Sequence, residues 1–215
     1  MSRVVAAEFE AVEVDSKMGA GSLFFVISGP SGVGKDAVID GLRAAGASLF
    51  FAVTATTRPR RRHEVAGVDY HFVSRGEFER MIDQGELLEW AHVYGNYYGV
   101  PKRDLQRALR EGKDAVVKVD VQGASTIRDL VPDAILIFVT AESMEALEQR
   151  LKRRKTESGV DLELRTAAAR REMDSLPLFD YVVVNRDEQV EFAVAQIQAI
   201  MTAEKCRVKA RSVEL

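Results

Sequence analysis

Apolar, β-branched and aromatic residues fall into short unbroken runs along this chain, and the stretches between them carry apolar positions at helical spacing. Leu23 to Ile27 is the first such run; Ala115 to Asp120, Ala134 to Val139 and Val182 to Val184 follow the same pattern. Runs of this kind predict strands buried on both faces. Leu49 to Thr54 is a further short strand. Val38, Leu42 and Ala45 share one face of a helix that ends near Gly46, and helices are predicted over Gln122 to Leu130, Ser143 to about Arg154, and Asp187 to about Ala203. Strands alternating with helices imply an α/β fold, a three-layer core with a parallel sheet between helices.

Residues 55–100 break that alternation. They hold a strand-like Tyr70 to Val73, a helix opened by Ser74 with Glu77 three residues on, and a weakly alternating Leu87 to His92. A turn-rich Tyr94 to Gly99 follows, and Pro101 suits the first turn of another helix. This stretch is expected to be an inserted mixed α+β lobe. Residues 152–168 are dense in charge, with no core pattern before Leu162, and are expected to form a mobile lid. The organisation expected is a weakly structured acidic extension (1–21), one domain over 22–205 with its core in 22–54 and 101–205, and a tail (206–215).

Composition narrows the class. A chain of 215 residues with 47% apolar and 29% charged residues is an ordinary globular protein with one sizeable core. No apolar run reaches the roughly 18 to 20 residues needed to span a membrane, and the N-terminus lacks the pattern of a secretory signal. Cys206 is the single cysteine, which excludes an intrachain disulfide and fits a reducing, cytoplasmic location. His63, His71 and His92 lack zinc-ligand spacing, and a net charge of −3 argues against a general nucleic-acid binder.

The candidate chemistry begins at Gly29-Pro30-Ser31-Gly32-Val33-Gly34-Lys35, between the first run and a helix start. It fits the phosphate-loop pattern G-x-x-x-x-G-K-[ST] at every position but the last, where Asp36 stands. Glycines let successive N–H groups curl toward phosphate oxygens, the helix N-terminus adds positive potential, and Lys35 can reach the outer phosphates. Further on, Thr54 to His63 is polar and carries Arg58, Arg60, Arg61 and Arg62. Alone, that run reads as a solvated basic face or a nucleic-acid patch, and Tyr70 and Tyr98 read as packing residues.

The loop, Thr56-Thr-Arg58, Asp69-Tyr70, Leu88-Glu-Trp90, Gly95-Asn-Tyr-Tyr-Gly99 and Val119-Asp-Val-Gln-Gly123, in this order and spacing, resemble guanylate kinases over about residues 22–205. The resemblance implies transfer of the γ-phosphoryl group of MgATP to GMP, and to dGMP, by a core, a GMP-binding lobe and a lid. It implies ATP binding by Gly29 to Asp36 and Asn185, with Asn185 near adenine. It assigns GMP to Thr54, Arg58, Arg61, Tyr70, Glu89, Tyr98 and Asp120, with the arginines and tyrosines on the phosphate and Glu89 accepting hydrogen bonds from guanine. Lys35, Arg150, Arg154 and Arg165 would be catalytic, neutralising charge during transfer. The partners implied are ATP and GMP, without nucleic acid or membrane; monomer and homo-oligomer both stay open. Two other readings remain: a guanylate-kinase-like module that binds phosphorylated partners without catalysis, and a kinase for another phosphorylated ribose compound.

Three residues depart from the family pattern. Asp36 replaces the hydroxyl residue that meets magnesium, which makes it a candidate metal ligand; Lys118 stands where Asp or Glu is usual; Val100 replaces a hydroxyl residue. On a strand Lys118 and Asp120 would point to one face, beside the phosphate loop. Asp36 and Lys118 are therefore expected to form an ion pair beside the metal site. The alternative is that Asp36 ligates magnesium while Lys118 contacts phosphate independently.

Overall fold

The computed structural model describes residues 21–46, 48–62, 64–93, 95–153, 159–211, 213 and 215. The expected N-terminal extension (except residue 21), His63 and residues 154–158 of the expected lid, Arg154 among them, lie outside the described residues. The chain runs β1 (Phe24–Ser28), α1 (Lys35–Ala44), β2 (Leu49–Phe51), β3 (Thr54–Thr56), β4 (Tyr70–Phe72), α2 (Arg75–Asp83), β5 (Leu87–Val93), β6 (Asn96–Pro101) and α3 (Lys102–Arg110). It continues through β7 (Asp114–Lys118), α4 (Val121–Leu130), β8 (Ile135–Thr140), α5 (Met144–Arg153), α6 (Gly159–Met173), β9 (Tyr181–Val184) and α7 (Val190–Lys205).

The first apolar run becomes the centre of the molecule. β1 lies in the middle of a parallel five-stranded sheet ordered β2-β7-β1-β8-β9. Its alternate residues feed opposite layers: Phe25 and Ile27 pack with Val38, Leu42 and Ile197, whereas Phe24 and Val26 pack with Leu105, Ile127 and Leu136. Burial on both faces is why the strand reads as continuous rather than alternating. Among the described residues no helix is long and apolar enough to cross a membrane.

The second sheet is mixed, ordered β4-β3-β6-β5, and has its own small core of Ala55, Phe78 and Leu87. Ser74 Oγ accepts from the Glu77 N–H at 3.2 Å and caps α2. Two sequence readings need correction. Leu49 to Thr54 is not one strand: β2 ends at Phe51 in the large sheet, and Thr54 opens β3 in the second sheet. Asp120 is not a strand residue sharing a face with Lys118, because β7 stops at Lys118 and Asp120 caps α4 by accepting from the Gly123 N–H at 2.7 Å. Residues beyond 205 also pack back: Val213 and Leu215 lie on the second core cluster, and Arg211 Nε donates to the buried Glu204 at 2.9 Å.

Candidate active site

The loop between β1 and α1 is shaped by backbone that other residues resist. Gly29 has φ 135°, and a Cβ there would collide with the Val139 carbonyl of β8. Gly34, with φ 91°, precedes α1 without a side-chain cap, and the positive end of that helix is presented at the loop. Asn185, after β9, donates its Nδ2 to the Val33 carbonyl at 2.8 Å and occupies the space a Gly34 Cβ would need. Lys35 Nζ donates to the Gly29 and Pro30 carbonyls at 2.5 and 3.0 Å. Burial pushes the Lys35 ammonium down to about 8, against the raising effect of Glu172 and Asp36. Glu172, from α6, accepts from the Ser31 N–H at 3.3 Å.

Across from the loop, a β-bulge sets the key carboxylate. β5 pairs Leu87 with Pro101 and Trp90 with Gly99, so Leu88 and Glu89 together oppose Val100 alone. The bulge interrupts the alternation and leaves Leu87, Leu88 and Glu89 all buried while Trp90 faces outward. Glu89 is 4% exposed, and Gly123 of α4 approaches it so closely that a Cβ there would stand 2.7 Å from Glu89 Oε2. Burial raises the Glu89 carboxyl to about 8, and Asp120 adds to the shift.

The arginine segment is ordered by Glu64, which is 8% exposed. Its carboxylate accepts from Arg58 at 2.7 Å and from the Arg61 N–H at 2.7 Å. Although burial opposes it, these bonds hold the Glu64 carboxyl below its ordinary range. The Arg58 guanidinium lies 5.5 Å from the Tyr70 ring centroid, and the Tyr70 and Tyr98 rings meet edge-on at 6.2 Å. Thr54 Oγ1 donates to the Lys118 carbonyl at 3.3 Å, tying the second sheet to the end of β7.

These groups meet. Lys35, Ser31 and Gly29 of the loop, Thr54, Arg58, Arg61, Tyr70, Glu89 and Tyr98 of the second lobe, and Asp120 and Arg165 all line one cavity of about 320 Å³. Its size suits a small-molecule ligand. Asp36 lies in an adjoining smaller cavity, with Lys118 lining both, and the Lys118 Nζ to Asp36 Oδ1 distance is 2.5 Å. The expected ion pair is formed.

Other expected site residues lie elsewhere. Pro30, Gly32, Val33 and Gly34 shape the loop without lining the cavity, and the Asn185 amide is used on Val33. Arg150 does not line the cavity either: its guanidinium donates to Asp187 at 2.6 Å, the Asn185 carbonyl at 2.7 Å and the Val33 carbonyl at 3.2 Å. Val100 is fully buried in the core under the lobe and lines no part of the cavity. Sequence reasoning missed Glu64 and Glu172. Glu64 follows the arginine run by two residues, a local signal for an ion pair; Glu172 had none, since only folding brings it to the loop.

Comparison with known proteins agrees with this geometry. The family described as guanylate kinase matches residues 22–204. Guanylate kinase 2, chloroplastic/mitochondrial, of Oryza sativa subsp. japonica is 49% identical over 194 residues, covering 90% of this chain and 68% of the relative. The guanylate kinase of Symbiobacterium thermophilum is 45% identical over 185 residues, covering 86% and 87% respectively. Among solved structures, guanylate kinase from Anaplasma phagocytophilum superposes with a TM-score of 0.72 at 29% identity, covering 88% of this chain and 89% of that one.

Proposed function

The chain belongs to the guanylate kinase family, and from that premise we propose that it transfers the γ-phosphoryl group of MgATP to GMP or dGMP, using the cavity described above. One observation carries the reading: the loop lysine Lys35, the buried Glu89 and the Arg58, Arg61, Tyr70 and Tyr98 cluster line the same cavity. A module that only binds phosphorylated partners leaves Lys35 and Arg165 without a role there. A kinase for another ribose phosphate leaves the buried Glu89 without one.

In this reading Lys35 and the open N-terminus of α1 hold the donor phosphates. Arg58, Arg61 and the two tyrosines hold the GMP phosphate, and Glu89 as carboxylate accepts from the guanine N1–H and amino group; adenine presents an acceptor at N1 instead. A GMP phosphate oxygen forms the new bond to the γ-phosphorus while the bond to the β–γ bridging oxygen breaks, and ADP leaves with that electron pair. The attacking oxygen is already anionic, so no side chain has to act as a strong base. Arg165, with Arg154 by resemblance, neutralises charge during transfer. Lid closure, which the family resemblance implies, would keep water from the γ-phosphate.

Among the described residues no cluster of three or more potential metal-ligating side chains is present. Asp120, which lines the cavity together with Lys35, is a hard oxygen donor of the kind magnesium takes, whereas Asp36 is engaged by Lys118. Bound there, magnesium would supply charge neutralisation on the donor phosphates. A cytoplasmic location belongs to the same reading, supported by the single cysteine. The test is ADP release with MgATP and each of GMP, dGMP, AMP, UMP and CMP. Turnover confined to GMP and dGMP is expected; no turnover with any acceptor would favour the binding module.

A further inference from the structure

The geometry points to Lys118 as a phosphate contact standing between the donor and acceptor halves of the site, with Asp36 as the positioning residue that tethers it. The inference rests on the proposed kinase reading and deepens it.

Lys118 is the last residue of β7, paired in register with Ile27 of the strand that enters the phosphate loop. Its side chain is 18% exposed. The ammonium lies 2.5 Å from Asp36 Oδ1 and 4.6 Å from the centroid of the Tyr70 ring. Asp36 directly follows Lys35, which serves the donor phosphates, and Tyr70 belongs to the cluster assigned to the acceptor phosphate. One cation thus touches a residue from each side, and it lines the cavity where the phosphates would meet.

Charge supplies the reason. A carboxylate at position 36, next to the loop lysine, would by itself repel a triphosphate. Paired with Lys118 it adds no net charge. An ammonium has three N–H donors. With one donor held by Asp36 and one turned to the Tyr70 hydroxyl, the third serves a phosphate oxygen. Asp36 is 61% exposed, so the pair contributes little to folding, and its value has to be sought in placement. A lysine suits this post because it is a compact point charge that can serve two directions at once.

The experiment is a set of variants in the full chain: Lys118→Met, Lys118→Asp, Asp36→Ser, and the double change Asp36→Ser with Lys118→Asp. Each is measured for thermal midpoint, for GMP affinity by calorimetry without ATP or metal, and for KM and kcat. Lys118→Met is expected to weaken GMP binding about tenfold with little change in thermal midpoint, as for loss of a charge-assisted phosphate bond. Asp36→Ser is expected to lower kcat more than it raises the KM for GMP, because the cation stays but is no longer held. Lys118→Asp is expected to be at least about tenfold slower than the double variant, the non-additivity of a direct pair. GMP affinity within about twofold of wild type in Lys118→Met, or additive losses across the set, would overturn the inference. Wild-type protein that fails to phosphorylate GMP would instead overturn the kinase reading, so the two failures are distinguishable.

Discussion

Glu89 carries a consequence for pH. Burial first, and Asp120 second, hold its carboxyl at about 8, so at neutral pH the free site contains a protonated acid. In the proposed role Glu89 meets guanine as the carboxylate, so GMP binding below pH 8 is expected to release a proton. Affinity for GMP is therefore expected to rise as pH goes from 6 to 8, by up to about tenfold per unit. Calorimetry in buffers of different ionisation enthalpy measures that proton directly. Lys35 gives the opposite limb. Its ammonium, lowered chiefly by burial to about 8, loses its charge above that value, so the KM for ATP is expected to climb as pH rises from 8 to 10. A steady-state pH series at saturating GMP checks this. Glu64 adds a third prediction. Glu64→Gln keeps the shape but removes the charge that orders Arg58 and the Arg61 N–H, and is expected to raise the KM for GMP more than it lowers kcat, with a stability loss of about 1–3 kcal/mol. Stopped thermal or urea denaturation together with kinetics on the same protein separates the two effects.

At the scale of elements, the large sheet was legible and the small one only partly. Strands buried on both faces announce themselves as apolar runs, and β1, β7, β8 and β9 fall within a residue or two of those runs. β5 showed only weak alternation over Leu87 to His92, because the bulge at Leu88 and Glu89 breaks the period of two that a half-buried strand should show. The irregularity in the sequence was thus the mark of the element that aims Glu89. The junction of α4 with β5 tests this arrangement. Gly123→Ala puts a Cβ 2.7 Å from Glu89 Oε2 and 3.1 Å from Val119 Cβ, and is expected to displace the carboxylate, weaken GMP binding about tenfold or more, and destabilise by about 1–3 kcal/mol. ATP affinity, measured by titration with a non-hydrolysable analogue, is expected to stay near wild type. Arg150 shows the reverse case, a residue whose charge was legible but whose direction was not. It clamps the Val33 and Asn185 carbonyls and Asp187 together, which only the packing of α5 against the loop could reveal. Arg150→Met is expected to cost about 1–3 kcal/mol and to raise the KM for ATP while sparing that for GMP, a contrast that kinetics with each substrate varied in turn will resolve.

Across the whole molecule, the two sheets meet at the end of β7, where Thr54 bonds the Lys118 carbonyl and Lys118 reaches both Asp36 and Tyr70, and Leu88 and Val100 of the second sheet pack into the core beside β1 and β7. Composition and periodicity could foresee a parallel core and an irregular insertion. They could not place Glu172 against the loop or fold Val213 and Leu215 back onto the core, since those contacts depend on chain segments far apart in sequence. The proposed function pairs a loop for a triphosphate with a lobe for a phosphorylated guanine. The specificity ratio, kcat/KM for GMP divided by kcat/KM for AMP with MgATP as donor, tests that most directly. A site whose buried carboxylate reads guanine by hydrogen bonds is expected to give a ratio of about 10⁴ or more, falling sharply in Glu89→Gln. A ratio near one, or one that Glu89→Gln leaves unchanged, would contradict it.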